Sequence, residues 1–388
     1  MMLAGNFGEV TSFSKISDTA GGLTAVLDNN DLFGLPVAEI GDLDGDGIRD
    51  MAVSATGDDD GGYARGAVYI LFMNADGTVS SHQKISDSAG GFTGTLDDLD
   101  AFGSSLVNLG DLDGDGVTDL GVGADQDDDG GSARGALYIL FLNANGTVKS
   151  HQKISNTIGG FTAVLDDVDN FGDALANLGD MDGDGVTDLA VSAFRDGDGG
   201  VDRGAVYVLF MNTDGTVKSH QKISDTEGGF TATLDDADFF GHAVASVGDL
   251  DGDGVTDLAV GAMRDGDGGV GRGAVYVLFL NADGTVKSHQ KISDTVGGLT
   301  ATLDDFDFFG RSLANMADLN GDGVTDLAVG AYGDDDGGGL RGAAYVLFLN
   351  ANGTVKAHQK ISDTAGNFTA TLDDSDFFGS SMTNLGDL

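Results

Sequence analysis

The chain has 388 residues and carries 64 acidic against 19 basic side chains, which gives a formal net charge of -45. This charge disfavours nucleic acid and anionic membranes as partners and favours cations. The absence of cysteine excludes disulfides, thiolate metal sites and cysteine nucleophiles, and 65 glycines beside a single proline indicate tight turns and few helices.

The N-terminal stretch MMLAGNFGEV lacks the basic region and the long apolar run of a secretory signal. No segment approaches the apolar length that a membrane-spanning helix needs. We therefore expect no membrane insertion, and we interpret the sequence as a soluble chain excised from something longer.

One unit repeats along the chain without insertion. The stretch GDLDGDGVTDLAVGA, residues 248–262, recurs so that its first aspartate falls every 69 residues, at Asp42, Asp111, Asp180, Asp249, Asp318 and Asp387. This periodicity predicts a repeat architecture. The repeat units run approximately over 33–101, 102–170, 171–239, 240–308 and 309–377, with partial units at 1–32 and 378–388.

Each unit predicts four strands, taken here from unit 240–308. FGHAVASVGD (240–249) suits a first strand that ends at the aspartates, and DLAVGA (257–262) is a second short apolar run. RGAVYVLFLN (272–281) is almost continuously apolar, which is typical of a strand buried on both faces. After an Asp-Gly turn, VKSHQKIS (286–293) is a polar strand suited to an exposed edge.

Buried inner strands and a polar outer strand predict an all-β fold, a β-propeller of four-stranded antiparallel blades. GEVTSFSKIS (8–17) aligns by period with a fourth strand, and FGSSMTNLGDL (378–388) aligns with a first strand of a sixth repeat, so the ends predict one split blade. Its two missing strands extend by the period to about residue 419 in a six-bladed ring, or one period further in a seven-bladed ring.

The loop between the first and second predicted strands has the ligand pattern of a calcium site. It offers four carboxylates and one carbonyl, at positions 1, 3, 5, 9 and 7: Asp249, Asp251, Asp253, Asp257 and Val255. A glycine at position 6 allows the chain to bend around an ion. An EF-hand would place glutamate at position 12, where this chain has valine, so the EF-hand interpretation fails.

The same set of oxygen ligands recurs in the other four units. Its members are Asp42, Asp44, Asp46, Ile48 and Asp50; Asp111, Asp113, Asp115, Val117 and Asp119; Asp180, Asp182, Asp184, Val186 and Asp188; and Asp318, Asn320, Asp322, Val324 and Asp326. Only Asn320 departs, and an amide oxygen still coordinates calcium. Because carboxylates this close repel one another without a cation, an acidic turn without an ion is the weaker alternative. About one Ca²⁺ per complete repeat, or five ions, is expected.

These residues resemble the FG-GAP repeats of integrin alpha-subunit propellers and related bacterial surface proteins. The resemblance covers essentially the whole chain and rests on the Asp loop, on Phe-Gly at the start of each unit and on Gly-Ala closing the second strand. Phe-Gly stands at 102–103, 171–172, 240–241 and 309–310, and Gly-Ala stands at 123–124, 261–262 and 330–331.

The chain departs from this pattern at two places. The proline that usually follows Gly-Ala is Asp125, Met263 or Tyr332, and Ser54 and Ser192 replace the glycine. These departures affect loop details rather than the fold. The resemblance implies one calcium ion per Asp loop on one face of the propeller and partner binding on the opposite face.

Other features recur once per unit. DDDGG (58–62, 127–131, 334–338) or DGDGG (196–200, 265–269) joins strands two and three on the face opposite the Asp loops, where a second cation site is the alternative to the favoured solvated acidic loop. An arginine before each Gly-Ala of strand three is expected to form an intrablade charge pair with these acidic loops, and ligand contact is the weaker alternative. A histidine on each outer strand is expected to be exposed.

No unique nucleophile and base stand out from the repeated background, so we predict that the chain is not an enzyme. We predict a calcium-stabilised extracellular or cell-surface propeller for adhesion or protein binding, since weak calcium modules need about 0.1 to 1 mM calcium. A protein or glycan ligand is expected on the face opposite the calcium loops. Two alternatives are open: a subunit of a head-to-tail extracellular filament joined through open blade edges, and a non-catalytic accessory domain of a larger secreted protein.

Overall fold

The computed structural model of the protein describes residues 8–386. Within this range all the regular secondary-structure elements are β-strands. They form five antiparallel four-stranded sheets, and in each sheet adjacent strands are also consecutive in sequence. No helix in this range has the length and apolar character needed to cross a bilayer. The prediction of an all-β propeller with four-stranded antiparallel blades is confirmed.

Each sheet is one blade, and the strands are numbered along the chain. Blade 1 has β1 (Phe33–Gly41), β2 (Asp50–Ala55), β3 (Ala67–Met73) and β4 (Val79–Ser86). Blade 2 has β5 (Leu106–Gly110), β6 (Asp119–Ala124), β7 (Ala136–Leu142) and β8 (Val148–Ser155). Blade 3 has β9 (Phe171–Gly179), β10 (Asp188–Ala193), β11 (Ala205–Met211) and β12 (Val217–Ile223). Blade 4 has β13 (Phe240–Gly248), β14 (Asp257–Ala262), β15 (Ala274–Leu280) and β16 (Val286–Ile292). Blade 5 has β17 (Leu313–Asn315), β18 (Leu327–Ala331), β19 (Ala343–Leu349) and β20 (Val355–Ile361).

The hydrophobic core lies between blades rather than within one. All seven residues of β15 are buried. Tyr276 and Leu278 pack in the cluster shared with blade 3, whereas Val277 and Phe279 pack in the cluster shared with blade 5. Because successive side chains of a strand point to opposite faces, the continuous apolar run requires a neighbour on each side.

The outer strand is polar, as predicted, but its histidine is not exposed. In β16, Lys287 and Ser288 are exposed while His289 is half-buried. The His289 ring centroid lies 5.1 Å from that of Phe230, which enters the joint from the preceding link. The expectation of an exposed histidine is therefore wrong, because the link folds back over the outer strand; the equivalent rings at 82, 151, 220 and 358 are half-buried too.

The Phe-Gly pair that opens each unit joins one blade to the next. Phe309 forms a parallel bridge with Gly273, the glycine that precedes β15. Gly273 has a φ of +87°, and a Cβ atom there would lie 2.1 Å from the carbonyl oxygen of Phe309. Glycine is thus required both by the left-handed backbone and by the close approach of the next blade.

Residues 8–17 and 378–386 together take a sixth blade position. In blade 4, Val286 donates its backbone N–H to the carbonyl of Gly228 in the preceding link, at 2.7 Å. Val10 donates to Gly366, which follows blade 5, in the same way at 2.9 Å. Phe378 forms a parallel β-bridge with Gly342, as Phe309 does with Gly273 at the start of blade 5.

Neither of these two segments is a regular strand in the described range, which differs from the prediction. A strand needs a hydrogen-bonded neighbour, and no second or third strand lies between the segments within residues 8–386. Asp387, the first aspartate of the sixth loop, lies outside the described residues.

The first strands line a central channel with six positions. Its middle ring is apolar and consists of Val37, Leu106, Leu175, Val244, Leu313 and Met382. The next ring toward the Asp loops is polar and consists of Glu39, Asn108, Asn177, Ser246, Asn315 and Asn384. Of the two ring sizes that the period allowed, this structure has the six-position ring.

The joint between the sixth position and blade 1 is the least filled. Its cluster holds 8 buried apolar residues, whereas each complete joint holds 18 to 21. On the far side, Leu319 of blade 5 is 38% exposed, while its counterpart Leu250 in blade 4 is 6% exposed. The ring thus has five well-packed blades and one incomplete position.

This difference predicts unequal costs for one substitution. Phe102→Ala removes a fully buried ring that stacks on Phe92 and meets Tyr138 edge to face, and should destabilise the protein by about 3–5 kcal/mol. Phe33→Ala, the same change beside the incomplete position, should cost clearly less because Phe33 is only partly buried. Chemical denaturation of both variants measures the two values, and equal losses would contradict the incomplete joint.

Candidate metal centres and channel mouth

Backbone hydrogen bonds curl each Asp loop around its first carboxylate. In blade 4, Asp249 accepts the N–H groups of Asp253 at 2.8 Å and Gly254 at 2.9 Å. Gly254 has a φ of +91° and open space around it, so the loop turns back without a clash. The loop's carboxylates therefore converge instead of spreading into solvent.

The closing aspartate is the first residue of the second strand and is fully buried. Asp257 is 0% exposed. One of its carboxylate oxygens accepts the N–H of Leu250 in the loop, and the other accepts the N–H of Leu280 at the end of β15, both at 3.0 Å. Asp257 thus holds the loop, the second strand and the third strand together.

Four of the five predicted loops bring three carboxylates close enough to share an ion. One oxygen from each member lies within 4.8 Å of the others in the sets Asp42, Asp44 and Asp50; Asp111, Asp113 and Asp115; Asp180, Asp182 and Asp188; and Asp249, Asp251 and Asp257. The predicted ligands Asp46, Asp119, Asp184 and Asp253 lie in the same loops but outside these closest sets.

The fifth loop differs because of its amide. The Asn320 side-chain nitrogen donates to Asp326 at 3.2 Å, so its nitrogen rather than its oxygen points at the closing carboxylate. The position 7 residues Ile48, Val117, Val186, Val255 and Val324 donate their N–H groups to the position 5 carboxylate. Coordination by their carbonyls stays a prediction.

The chemistry of this donor set fits calcium. The ligand atoms on offer are hard oxygens without histidine or cysteine, which Ca²⁺ prefers and zinc does not. Burial raises the pKa of Asp257 to about 6, so positive charge nearby would favour its ionised form. A calcium ion would supply that positive charge and would hold the end of β13 to the start of β14.

A lysine that the motif does not contain reaches the same carboxylates. Lys287, the second residue of β16, lies 2.6 Å from Asp251 and also contacts Asp253. Blades 2, 3 and 5 have the equivalent contact through Lys149, Lys218 and Lys356, but blade 1 has Ser80 at this place. The ammonium shares the ligand carboxylates and so competes with a bound ion.

A second lysine neutralises the acidic loop on the opposite face. Lys291 lies 2.7 Å from Asp265 and 2.8 Å from Asp267, with its ammonium 5.5 Å from the centre of the Tyr276 ring. The same pairs occur in every blade through Lys84, Lys153, Lys222 and Lys360. Asp265 is buried rather than solvated, and the lysine stands where a second cation was the alternative.

Behind this ion pair a second buried aspartate carries no cation of its own. Asp238 is 5% exposed and accepts the N–H of Asp235 at 2.8 Å. Burial, and then the charge of Asp265, raise the pKa of Asp238 to about 7. Ionised Asp238 is therefore disfavoured in the folded protein.

The repeated arginine forms a charge pair, but not with the acidic loop that was expected to supply the carboxylates. Arg272 contacts Asp294 at 2.6 Å and Asp305 at 3.0 Å, both in the link that leads from blade 4 to blade 5. Arg134 keeps only Asp167, because the first partner is replaced by Asn156. The carboxylates come from the link rather than from the DGDGG loop, so the pair connects successive blades.

The mouth of the channel opposite the Asp loops is where the repeat symmetry ends. The first-strand position that lines this mouth carries five residue types among its six members: Leu35, Ser104, Asp173, His242, Arg311 and Ser380. The cavity here has a volume of about 330 Å³. Residues that vary while their surroundings repeat are candidates for a specific function.

Two of these residues and a neighbour form an acidic side of the mouth. His242 Nδ1 lies 3.1 Å from Asp173 Oδ2, without the alignment of a hydrogen bond. Asp125, which replaces the family's usual proline, accepts a bond from Asn170 at 3.2 Å. Burial, and then the charge of Asp173, raise the pKa of Asp125 to about 7.

Comparison with known proteins identifies the type of repeat. The FG-GAP repeat family matches residues 38–71, 240–278 and 309–347. The chain therefore carries FG-GAP repeats on a β-propeller, as the motif residues predicted.

Its relatives include integrin alpha chains. The chain is similar to integrin alpha-2 of Mus musculus (32% identity, 51% of this chain), to integrin alpha-3 of Cricetulus griseus (33%, 52%) and to integrin alpha-PS2 of Drosophila melanogaster (31%, 62%). The matches span 15 to 17% of the length of these relatives. The chain thus resembles one portion of each of these proteins.

The lysine at the Asp loop predicts an altered metal affinity. Lys287→Met should strengthen calcium binding in blade 4 several-fold, because the competing ammonium is removed. The converse change in blade 1, Ser80→Lys, should weaken binding there. Calorimetric calcium titration of both variants at one ionic strength checks the pair, and unchanged affinities in both would rule out competition.

The buried Asp238 predicts a pH-dependent stability. Its folded-state pKa of about 7 lies above the unfolded value of 3.8, so its contribution is fully present below pH 4 and is lost as pH rises through 7. Asp238→Asn keeps the hydrogen-bond acceptor and removes the charge. The variant should gain roughly 1–3 kcal/mol over the parent at pH 8 relative to pH 5. Denaturation at both pH values measures this, and a gain independent of pH would contradict the assignment.

Proposed function

We propose that the chain is a calcium-stabilised extracellular or cell-surface propeller that acts as an adhesion or protein-binding scaffold and has no catalytic role. In this proposal the whole chain is one propeller whose repeats are the units 33–101 to 309–377. The single observation that supports it best is the difference between the two faces: on one the carboxylates of the Asp loops converge, and the other varies at the channel mouth and exposes apolar side chains.

Calcium is supported by the converging carboxylates and by the buried closing aspartate. The five closing aspartates are all 0–1% exposed. A buried carboxylate is costly without a partner of opposite charge. The charge of -45 also leaves the protein in need of cations.

A partner on the opposite face is supported by exposed apolar side chains. The β2–β3 loops and the links into the first strands expose large hydrophobic residues there: Leu32, Tyr63, Leu99, Val168, Val201, Val270, Phe306, Leu340 and Phe377. On the Asp-loop face of the described chain the comparable exposed residue is Leu319. Apolar side chains concentrated on one face favour a protein interaction surface.

The extracellular location rests on the calcium proposal and on the resemblance to integrin alpha chains. Loops of this kind that bind at about 0.1 to 1 mM are filled outside cells and not in the cytosol.

The filament alternative is supported by a different observation, the incomplete sixth position. An open sheet position exposes backbone groups that another chain can pair with. Sedimentation at increasing protein concentration tests this alternative, and a constant monomer mass would exclude it.

The calcium proposal predicts a melting temperature that depends on calcium. Chelation should lower it, and calcium should restore it far better than magnesium. Binding contributes about 2.7 kcal/mol per site when free calcium exceeds the dissociation constant by about 100-fold. Scanning calorimetry measures the shift, and a melting temperature insensitive to chelator would refute the proposal.

One blade can be tested separately. The double substitution Asp249→Asn and Asp251→Asn should reduce the number of bound ions by one, as counted by native mass spectrometry. Asp265→Asn and Asp267→Asn, on the opposite face, are the matched control and should leave the number unchanged.

The scaffold proposal is tested by binding to arrays of extracellular matrix proteins and glycans in calcium buffer. Val270→Asp on the apolar face should abolish binding, whereas Leu319→Asp on the Asp-loop face should not. Binding that is lost only with Leu319→Asp would place the partner on the Asp-loop face and contradict the proposal.

A further inference from the structure

The arginines divide into two groups. Five of the nine belong to the repeat and pair with carboxylates of the links, as Arg272 does. The other four, Arg49, Arg195, Arg264 and Arg311, lie outside that position; Arg195 and Arg264 occupy equivalent positions in blades 3 and 4, 69 residues apart. Arg311 lines the channel mouth, and Arg195 and Arg264 follow the second strands of their blades on the same face.

Two of these other four arginines have no ion pair in the described part of the chain. Arg49 pairs with Glu39 at 2.9 Å, and Arg195 lies 3.5 Å from Asp202. Arg264 and Arg311 instead lie against aromatic rings. In a chain with 64 acidic side chains, two guanidinium groups left without a carboxylate are an exception.

These arginines and rings form one continuous row. The Arg264 guanidinium lies 4.8 Å from the Phe239 ring centre and 6.0 Å from that of Phe308. Phe308 stacks on Tyr332 at 5.2 Å, and the Arg311 guanidinium lies 5.6 Å from the Tyr332 ring. We call Phe239, Arg264, Phe308, Tyr332 and Arg311 the arginine–aromatic row.

The row presents positive charge without neutralising it. A guanidinium over a ring face is held by a cation–π contact, which leaves its N–H edge available. That planar edge matches a carboxylate with two parallel hydrogen bonds. Ring contacts thus position the arginines, and their donors are available to an anionic group.

The cavity beside the row restricts where an anion can bind. Arg311 lines the cavity on the side of blade 5, whereas Asp125 and Asp173 line it on the side of blades 2 and 3, with His242 beside Asp173. The aspartate side of the mouth disfavours an anion, and Arg311 attracts it. A ligand that spans the mouth is therefore oriented, with its negative group at the row.

The surroundings of the row favour a peptide over a sugar. Phe308 is stacked on Tyr332 and the guanidinium groups lie on their rings, so the faces within the row are already occupied. The neighbouring rim consists of exposed Val270, Phe306 and Leu340, which match apolar side chains. A carboxylate beside an apolar residue is a feature of a protein loop.

We infer that the arginine–aromatic row is the docking site for an acidic loop of a partner protein, in which an Asp or Glu carboxylate binds Arg264 and Arg311 and an adjacent apolar residue covers the Val270 and Phe306 rim. This inference rests on the proposed function, because it assigns a ligand chemistry to the same face.

The test selects peptides from a random library on the immobilised full chain in calcium buffer. The selected peptides should carry Asp or Glu next to an apolar residue. Their affinity should fall about tenfold or more for the double variant R264Q/R311Q. R49Q, a single-occurrence arginine on the Asp-loop face, is the matched control and should bind as the parent does. Replacing the peptide's Glu by Gln should cost little further on the double variant.

Folding of the variants is checked by their melting temperatures. R311K keeps the charge and the stem but loses the planar fork, so it should weaken binding even if the double variant is unstable. Unchanged affinity for R311K and for R264Q/R311Q would overturn the inference.

A third variant separates the inference from the proposed function. Two outcomes would support the partner face but overturn the carboxylate site. One is a set of peptides that bind Phe306→Ser more weakly but bind R264Q/R311Q as they bind the parent; the other is a set of peptides without a carboxylate. A selection that yields no peptide sensitive to either change would overturn both.

Discussion

The buried carboxylate at the start of each second strand is the group on which the rest of the blade depends. Asp257 joins three segments by accepting backbone N–H groups from the loop and from the end of β15. No apolar side chain can replace it, since two buried donors would then lose their acceptors. Its negative charge is what makes a nearby cation favourable, so the architecture of the blade and the chemistry of the loop have one cause.

Positive charge is distributed along the outer strand to serve both faces. The strand VKSHQKI has two lysines four residues apart, and because β-strands are extended, Lys287 reaches the Asp loop at one end while Lys291 reaches the DGDGG loop at the other. Only the lysine at the Asp loop shares its carboxylates with a candidate ion site. Lys291 neutralises carboxylates of the DGDGG loop, whereas at the Asp loop Lys287 and a candidate ion would share the same carboxylates.

The blade and its Asp loop were predictable because they depend on contacts that are local or periodic. The position of Asp257 follows from counting nine residues, and the buried β15 follows from its apolar run. The exposure of Lys287 was predicted but its contact with the Asp loop was not, and the expectation of an exposed His289 was wrong, because the surroundings of both come from segments distant in sequence. Asp173, His242 and Arg311 were predictable in principle, because each differs from the residues at the equivalent position of the other repeats, whereas a shared motif contains only what the repeats have in common.

The incomplete sixth position determines how the ring carries mechanical load. Val10 is bound to the link that follows blade 5, and the hydroxyl oxygen of Ser381 accepts the backbone N–H of Val37 at 3.2 Å. Both segments near the ends of the described chain therefore lie in one seam. A pulling force between them would act first on this seam, where few side chains interlock, while five complete blades behind it remain unstrained. Under such a force the described chain should therefore open at this seam before any complete blade unfolds.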